Sequence, residues 1–112
     1  MKNLFEETMK VLNNNGKTMD DVISIQGDDF AITVENFIEI AKQTNYDSGY
    51  GSQEIARDLK IIGEDWWLER MEYDGSEWWE FKKIPQITKN IKEVYNLHSD
   101  SCGWMTLKEI NK

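Results

Sequence analysis

The chain has one cysteine, one proline and no long apolar run, and it is short of positive charge. A single Cys102 excludes an internal disulfide framework and fits a reducing, cytosolic setting. The longest hydrophobic runs are a few residues, far short of what a membrane-spanning helix needs. The first ten residues, MKNLFEETMK, lack the apolar stretch of a signal peptide. With 13 Lys and Arg against 21 Asp and Glu the formal charge is −8, the wrong sign for direct nucleic-acid binding. What remains is a chain of 112 residues, the size of one domain, that carries an unusual five tryptophans.

Periodicity predicts mixed structure. Residues 3–14 read as a helix with Phe5, Met9 and Leu12 on one face, Leu4 and Val11 widening it, and Glu6 and Glu7 well placed in its first turn. The run Asn13, Asn14, Asn15, Gly16 ends it, because Asn and Gly tolerate the left-handed backbone of a helix terminus. Residues 21–26 and 30–33 alternate as two short strands around Gly27, Asp28 and Asp29. Thr33 suits the N-cap of a helix over 34–43 that buries Phe37, Ile38 and Ala41. Residues 44–53 collect Gly, Ser, Asn and Asp around two tyrosines and form a loop, either one of the kind that carries function or a turn whose tyrosines pack over the sheet edge. Ser52 then suits the cap of a short helix over 53–59 that buries Ile55, Ala56 and Leu59. A further helix is expected after Pro85, where Ile87, Ile91, Val94 and Tyr95 recur at helical spacing. The last residues fit either a short helix from Thr106 or a frayed tail with Trp104 tucked back.

The strongest local signal lies in residues 65–84. Two aromatic runs flank Asp74-Gly75, a dipeptide favoured in two-residue type I′ turns, so strands are expected at 66–73 and 76–83. This register pairs Leu68 with Phe81, Arg70 with Trp79, Trp66 with Lys83 and Glu72 with Glu77 on one face. The other face carries Met71/Trp78, Glu69/Glu80 and Trp67/Lys82. Side chains alternate along a strand, so each Trp-Trp pair sends one ring to either side. The Leu68/Phe81 face is the core candidate. The expected fold is α+β: a small antiparallel sheet centred on the 66–83 hairpin, with helices packed on one side.

Carboxylates directly opposite each other are normally destabilising, and three readings of Glu69/Glu80 stay open. They are solvated side chains on an exposed sheet, or part of a surface for a cationic partner, or a catalytic or metal-binding acid pair. Charge distribution sharpens the second. Residues 64–80 hold seven acids and one base, and residues 1–81 hold 18 acids to 7 bases, whereas residues 82–112 hold 3 acids to 6 bases. An acidic face steers toward basic proteins, including the cleft of a nucleic-acid enzyme. His98 and Cys102 lie four apart, but one His and one Cys are too few for a structural zinc site, and nothing marks a nucleophile's orienting group or oxyanion hole. Ser48-Gly49 and Tyr50-Gly51 lack the spacing of a phosphate loop. No catalytic set, metal site or cofactor is expected.

The string from Tyr46 to Pro85, with YDSGYG, Ile55 before Asp58-Leu59, DWWLER and EYDGSEWW, resembles a family of small proteins encoded in phages and prophages of Gram-positive bacteria. The likeness covers residues 17–85 of what reads as a single domain, 1–112, and leaves out a mildly basic segment over 86–112. The resemblance implies a context, an accessory protein in a bacterial cytoplasm, and no specific activity. It fits a non-enzymatic binding protein that inhibits a host nucleic-acid-targeting defence enzyme, as an anti-CRISPR does. Trp67, Glu69, Glu72, Glu77, Trp78 and Glu80 are the expected contacts with a basic host protein. A small metal-dependent hydrolase using Glu69 and Glu80, and a homodimer closed by exposed tryptophans, are the alternatives.

Overall fold

A computed structural model describes the chain except for residues 48, 50 and 100–102. It opens with a two-residue strand β1 (Lys2–Asn3), the helix α1 (Leu4–Asn14) and a 3-10 turn (Met19–Asp21). Strands β2 (Ser24–Gln26) and β3 (Ala31–Ile32), helix α2 (Val34–Lys42) and strand β4 (Asn45–Tyr46) follow. Then come β5 (Lys60–Ile62), the long strands β6 (Trp66–Tyr73) and β7 (Ser76–Lys83), and a terminal helical turn α3 (Leu107–Ile110). Five strands form an antiparallel sheet in the order β3-β2-β5-β6-β7, and β1 pairs with β4 apart from it. The fold is α+β.

Local chemistry accounts for the helices. Asn3 caps α1 by accepting the Glu6 N–H, and Glu6 and Glu7 fall in the first turn, where the helix dipole favours acids. Thr33 caps α2 in the same way through the Asn36 N–H. The buried stripe of α1 is Leu4, Thr8 and Leu12 with Glu7, rotated from the expected Phe5–Met9 face, which is only partly buried. Thr8 is tolerated inside because its hydroxyl donates to the Leu4 carbonyl and accepts from the Trp79 indole N–H.

The 66–83 hairpin has the expected strand limits and register, from Tyr73 opposite Ser76 to Trp66 opposite Lys83. Asp74 and Gly75 both take positive φ, 50° and 89°, as a type I′ turn requires. One sheet face carries Ile25, Ile61, Leu68, Trp66 and Trp79 into a core completed by Leu4, Leu12, Phe37, Ala41 and Tyr46. Each buried aliphatic side chain there contributes about 1.5–3 kcal/mol through loss of water contact.

Three expectations fail. Residues 53–59 form turns rather than a helix, and Ala56 is exposed. Their first N–H groups bond to Glu77 instead, and Asp58 is drawn to the β2–β3 turn. Residues 86–97 form no helix, and Ile87 and Ile91 are exposed. A twelve-residue helix needs a surface to pack on, and α1 and α2 already occupy the core face of the sheet. Tyr46 lies fully inside rather than over the sheet edge. At the C-terminus Thr106 caps α3 with a capping box while Trp104 stays exposed. Ser48, Tyr50, Asp100 and Cys102 lie outside the described residues.

Candidate functional site

The hairpin has two chemically different faces, and the six residues expected to bind a partner divide between them. Trp67, Glu69, Trp78 and Glu80 share the outer face with Met71, Ile62 and Lys60, as the strand register requires. None of Ile62, Trp67, Met71 and Trp78 joins the hydrophobic core. Glu72 and Glu77 point the other way, near the turn. Glu72 is exposed and accepts the Gln53 amide at 3.0 Å. Glu77 is a correction: its side chain is only 3% exposed, so it has no free surface to offer.

Glu77 belongs to a buried network built around Arg70. Arg70 Nη2 donates to Glu77 Oε1 at 2.9 Å and to the Tyr46 hydroxyl at 3.1 Å. Arg70 Nη1 donates to Glu7 Oε2 at 3.4 Å, and the Tyr46 hydroxyl donates to Glu7 Oε1. The guanidinium centre stands 4.8 Å from the Trp79 ring centroid and 5.5 Å from that of Tyr46. Arg70 Nε is the one buried side-chain donor without a partner among the described residues. Burial pulls the Arg70 pKa down, but its bonds to Tyr46 and Glu77 and the nearby Glu7 charge outweigh that, and the net shift is upward. The Tyr46 hydroxyl is pushed up to about 12, by burial first and then by its bond to Glu7, against the opposing pull of Arg70.

Each carboxylate in this network also binds backbone. Glu77 accepts the N–H groups of Glu54 at 2.6 Å and Ile55 at 3.3 Å, tying the 47–55 loop to the hairpin. Glu7 accepts the Trp79 N–H at 3.1 Å. Trp79 stands in a non-hydrogen-bonded pair of the hairpin, so this N–H points off the free edge of β7. Glu7 therefore caps an edge strand that would otherwise be open to pairing with another chain. The network joins α1, β4, β6, β7 and the loop.

On the outer face, Glu69 and Glu80 are direct cross-strand partners. Glu69 accepts the Trp67 indole N–H at 3.0 Å, and Glu80 lies 3.8 Å from Lys82 Nζ. The two side chains of that ion pair are 40% and 41% exposed, so water screens it heavily. Lys60, Ile62, Trp67 and Glu69 line a shallow hollow of about 370 Å³. Trp78 reaches the β7 edge, where it lines a groove of about 400 Å³ with Lys2, Lys10 and Val11. Among the described residues no three His, Cys, Asp or Glu side chains converge to hold a metal ion. His98 is exposed.

Sequence reasoning placed Arg70 on the core face opposite Trp79 without drawing the consequence. A lone cation among seven acids, set on a buried face, needs carboxylates beside it. That signal calls for an acid on the Arg70 face, which Glu72 and Glu77 both meet in the hairpin register. Glu7 and Tyr46 carried no such signal, since their approach depends on how α1 and β4 cross the hairpin. Comparison with family models, with curated proteins and with solved structures finds no match to this chain.

Proposed function

We propose that this protein is a non-enzymatic binding protein whose outer sheet face docks on a basic protein partner. In the phage or prophage context that its motifs resemble, the partner is a host defence enzyme that acts on nucleic acid. The observation that carries the reading is the composition of that face: Trp67, Met71 and Trp78 lie outside the core, interleaved with the opposed carboxylates Glu69 and Glu80. Like charges held directly opposite cost stability, and the Trp67 indole N–H and the screened Lys82 offset only part of that here. An Arg or Lys arriving from a partner would add a cation between the carboxylates while the indoles supply contact area. The excess of acid over the first 81 residues, 18 against 7 bases, would steer the encounter and compete with a nucleic-acid phosphate backbone. Glu72 extends the acidic rim at the hairpin turn, whereas Glu77 serves the interior.

The test is capture of partners from a Gram-positive host lysate at low and high salt. The reading expects a basic nucleic-acid enzyme whose capture is salt-sensitive, is competed by its nucleic acid, and is lost in Trp78→Ala with folding intact. A partner that binds Trp78→Ala as well as the parent protein, or that nucleic acid does not displace, would overturn the assignment.

A further inference from the structure

Strand β7 is a free edge of the sheet, and Glu7 closes only one step of it. Tyr73 and Ser76 flank the two-residue turn as a hydrogen-bonded pair, and such pairs alternate with open ones along the hairpin. Trp79, Phe81 and Lys83 therefore turn their main-chain N–H and C=O groups away from β6. Glu7 takes the Trp79 N–H. Beyond Lys83, Ile84 returns its N–H to the Asp65 carbonyl at 2.8 Å, and Pro85 has none to give. Among the described residues no hydrogen bond reaches the outward groups of Phe81 and Lys83 or the Trp79 carbonyl. Unused donors and acceptors in a row are a template for another extended strand.

The side chains along this edge say which strand fits. A second β7, antiparallel and centred on Phe81, sets Phe81 opposite Phe81 and Trp79 opposite Lys83. On the outer face it sets Glu80 opposite Lys82 and Trp78 opposite Ile84, and two-fold symmetry repeats both contacts. Glu80 and Lys82 are 40% and 41% exposed and free to turn to a new partner. Ile84, 56% exposed, would gain apolar cover from Trp78. Sliding the register by two residues sets Glu80 against Glu80 or, the other way, Lys82 against Lys82, both destabilising. A slip of one residue sets outward groups against inward ones. The register centred on Phe81 bonds each Phe81 N–H to the other Phe81 carbonyl and each Lys83 N–H to the other Trp79 carbonyl. The bond it forgoes is that of the Trp79 N–H, which Glu7 already holds.

Net charge does not prevent this approach. Residues 1–83 carry 18 acids and 9 bases, so two bodies repel at a distance. At about 0.15 M salt that repulsion is screened beyond roughly 8 Å, whereas Glu80 and Lys82 would meet in direct contact.

We infer that β7 is a self-association edge whose occupant is β7 of a second copy, joined two-fold about Phe81. The two five-stranded sheets become one, and Trp67, Glu69 and Met71 stay uncovered on its outer face for a foreign partner.

The experiment is sedimentation velocity on the full chain at about 0.15 M salt, from low to high micromolar concentration. It compares the parent, K82E, E80K and an equimolar mixture of the two variants. The expected parent mass rises from 13.2 kDa toward twice that value. K82E sets a second acid against Glu80 of the other copy, and E80K sets a second base against Lys82. Each variant alone should therefore associate about tenfold more weakly than the parent, or worse. In the mixture each variant meets its opposite, and association should return to the parent level. Both positions are partly exposed, so the fold should survive, which the thermal transition checks. A parent of single-chain mass throughout overturns the inference. So does a dimer that both variants retain undiminished, or a mixture that stays as dissociated as its components.

Discussion

Arg70 and Glu77 meet on the diagonal of the hairpin, Nη2 to Oε1 at 2.9 Å, with side chains only 4% and 3% exposed. An ion pair so far from water contributes little net stability as a pair, but it is costly to break from one side. Arg70→Met would leave Glu77 buried without a cation and Glu7 with only the half-exposed Lys2 at 4.0 Å. The expected loss is about 3–5 kcal/mol, read as a lower urea midpoint. Replacing Arg70 and Glu77 together, by Met and Gln, should cost less than the sum of the single changes. Equal and additive losses would mean that the two residues do not act as a unit.

The Tyr46 hydroxyl makes the same network sensitive to alkali. The folded state keeps this proton up to about pH 12, whereas an unfolded tyrosine gives it up near pH 10. The contribution is therefore fully present below pH 10 and is lost as pH rises from 10 to 12. It amounts to about 2–3 kcal/mol across that window. Tyr46→Phe should lower stability at neutral pH by about 1–3 kcal/mol, because Glu7 and Arg70 each lose a partner, and it should flatten the alkaline limb. Urea melts at pH 8, 10 and 11 on both proteins, with tyrosinate absorbance followed in parallel, provide the check.

Local chemistry made the hairpin legible. Asp74-Gly75 specified the turn, the turn specified the register, and the register decided which of Trp66 and Trp67, and of Trp78 and Trp79, faces the core. Thr33 marked a helix start for the same local reason. Long-range contacts were not legible. Tyr46 sits in a segment whose Gly, Ser and Asn content reads as loop, yet pairing of β4 with β1 carries it under Arg70. Residues 53–59 have helical apolar spacing, but Glu77 takes the N–H groups of Glu54 and Ile55 from across the hairpin. The Ile87–Ile91 pattern is also helical and is left without a surface, because a periodic seam says nothing about what will cover it. Glu69 and Glu80 were legible as a pair. Their compensation by Trp67 and Lys82 needed coordinates.

Asp58 supplies an acid-sensitive contact at the other end of the sheet. Its Oδ2 accepts the Asp28 N–H at 2.8 Å, and that bond is the main reason its carboxyl titrates below the usual range, with Arg57 and Lys60 assisting. A lowered folded pKa means that the stabilisation is present above the ordinary carboxylate value of 3.8 and is lost as pH falls through the folded value. Asp58→Asn should therefore shrink the loss of stability between pH 4 and pH 2 relative to the parent. Gly27→Ala should act on the same contact by steric means, since a Cβ there would stand 2.6 Å from Asp58 Oδ2. Both variants should increase amide exchange at Asp28, which hydrogen-exchange NMR reads directly. An unchanged Asp28 amide in Asp58→Asn would remove this account.

The outer face makes a prediction in which stability and binding move in opposite directions. Glu80→Lys places a cation directly opposite Glu69, turning a cross-strand repulsion into an attraction at the loss of a screened contact with Lys82. Opposite-charge pairs of this kind favour the sheet by about 0.2–1 kcal/mol, so the variant should be at least as stable as the parent and by the same arithmetic slightly more so. If the face exists to receive cationic side chains, the same substitution should weaken partner capture strongly and reduce its dependence on salt. A surface charge kept only for solubility gives a different pair of results: unchanged capture with the same gain in stability. Urea denaturation and salt-dependent binding, measured on one preparation of each protein, separate the two. A residue whose replacement stabilises the fold and abolishes binding is retained for the partner, and the opposed carboxylates of Glu69 and Glu80 are the place in this structure where that exchange should be largest.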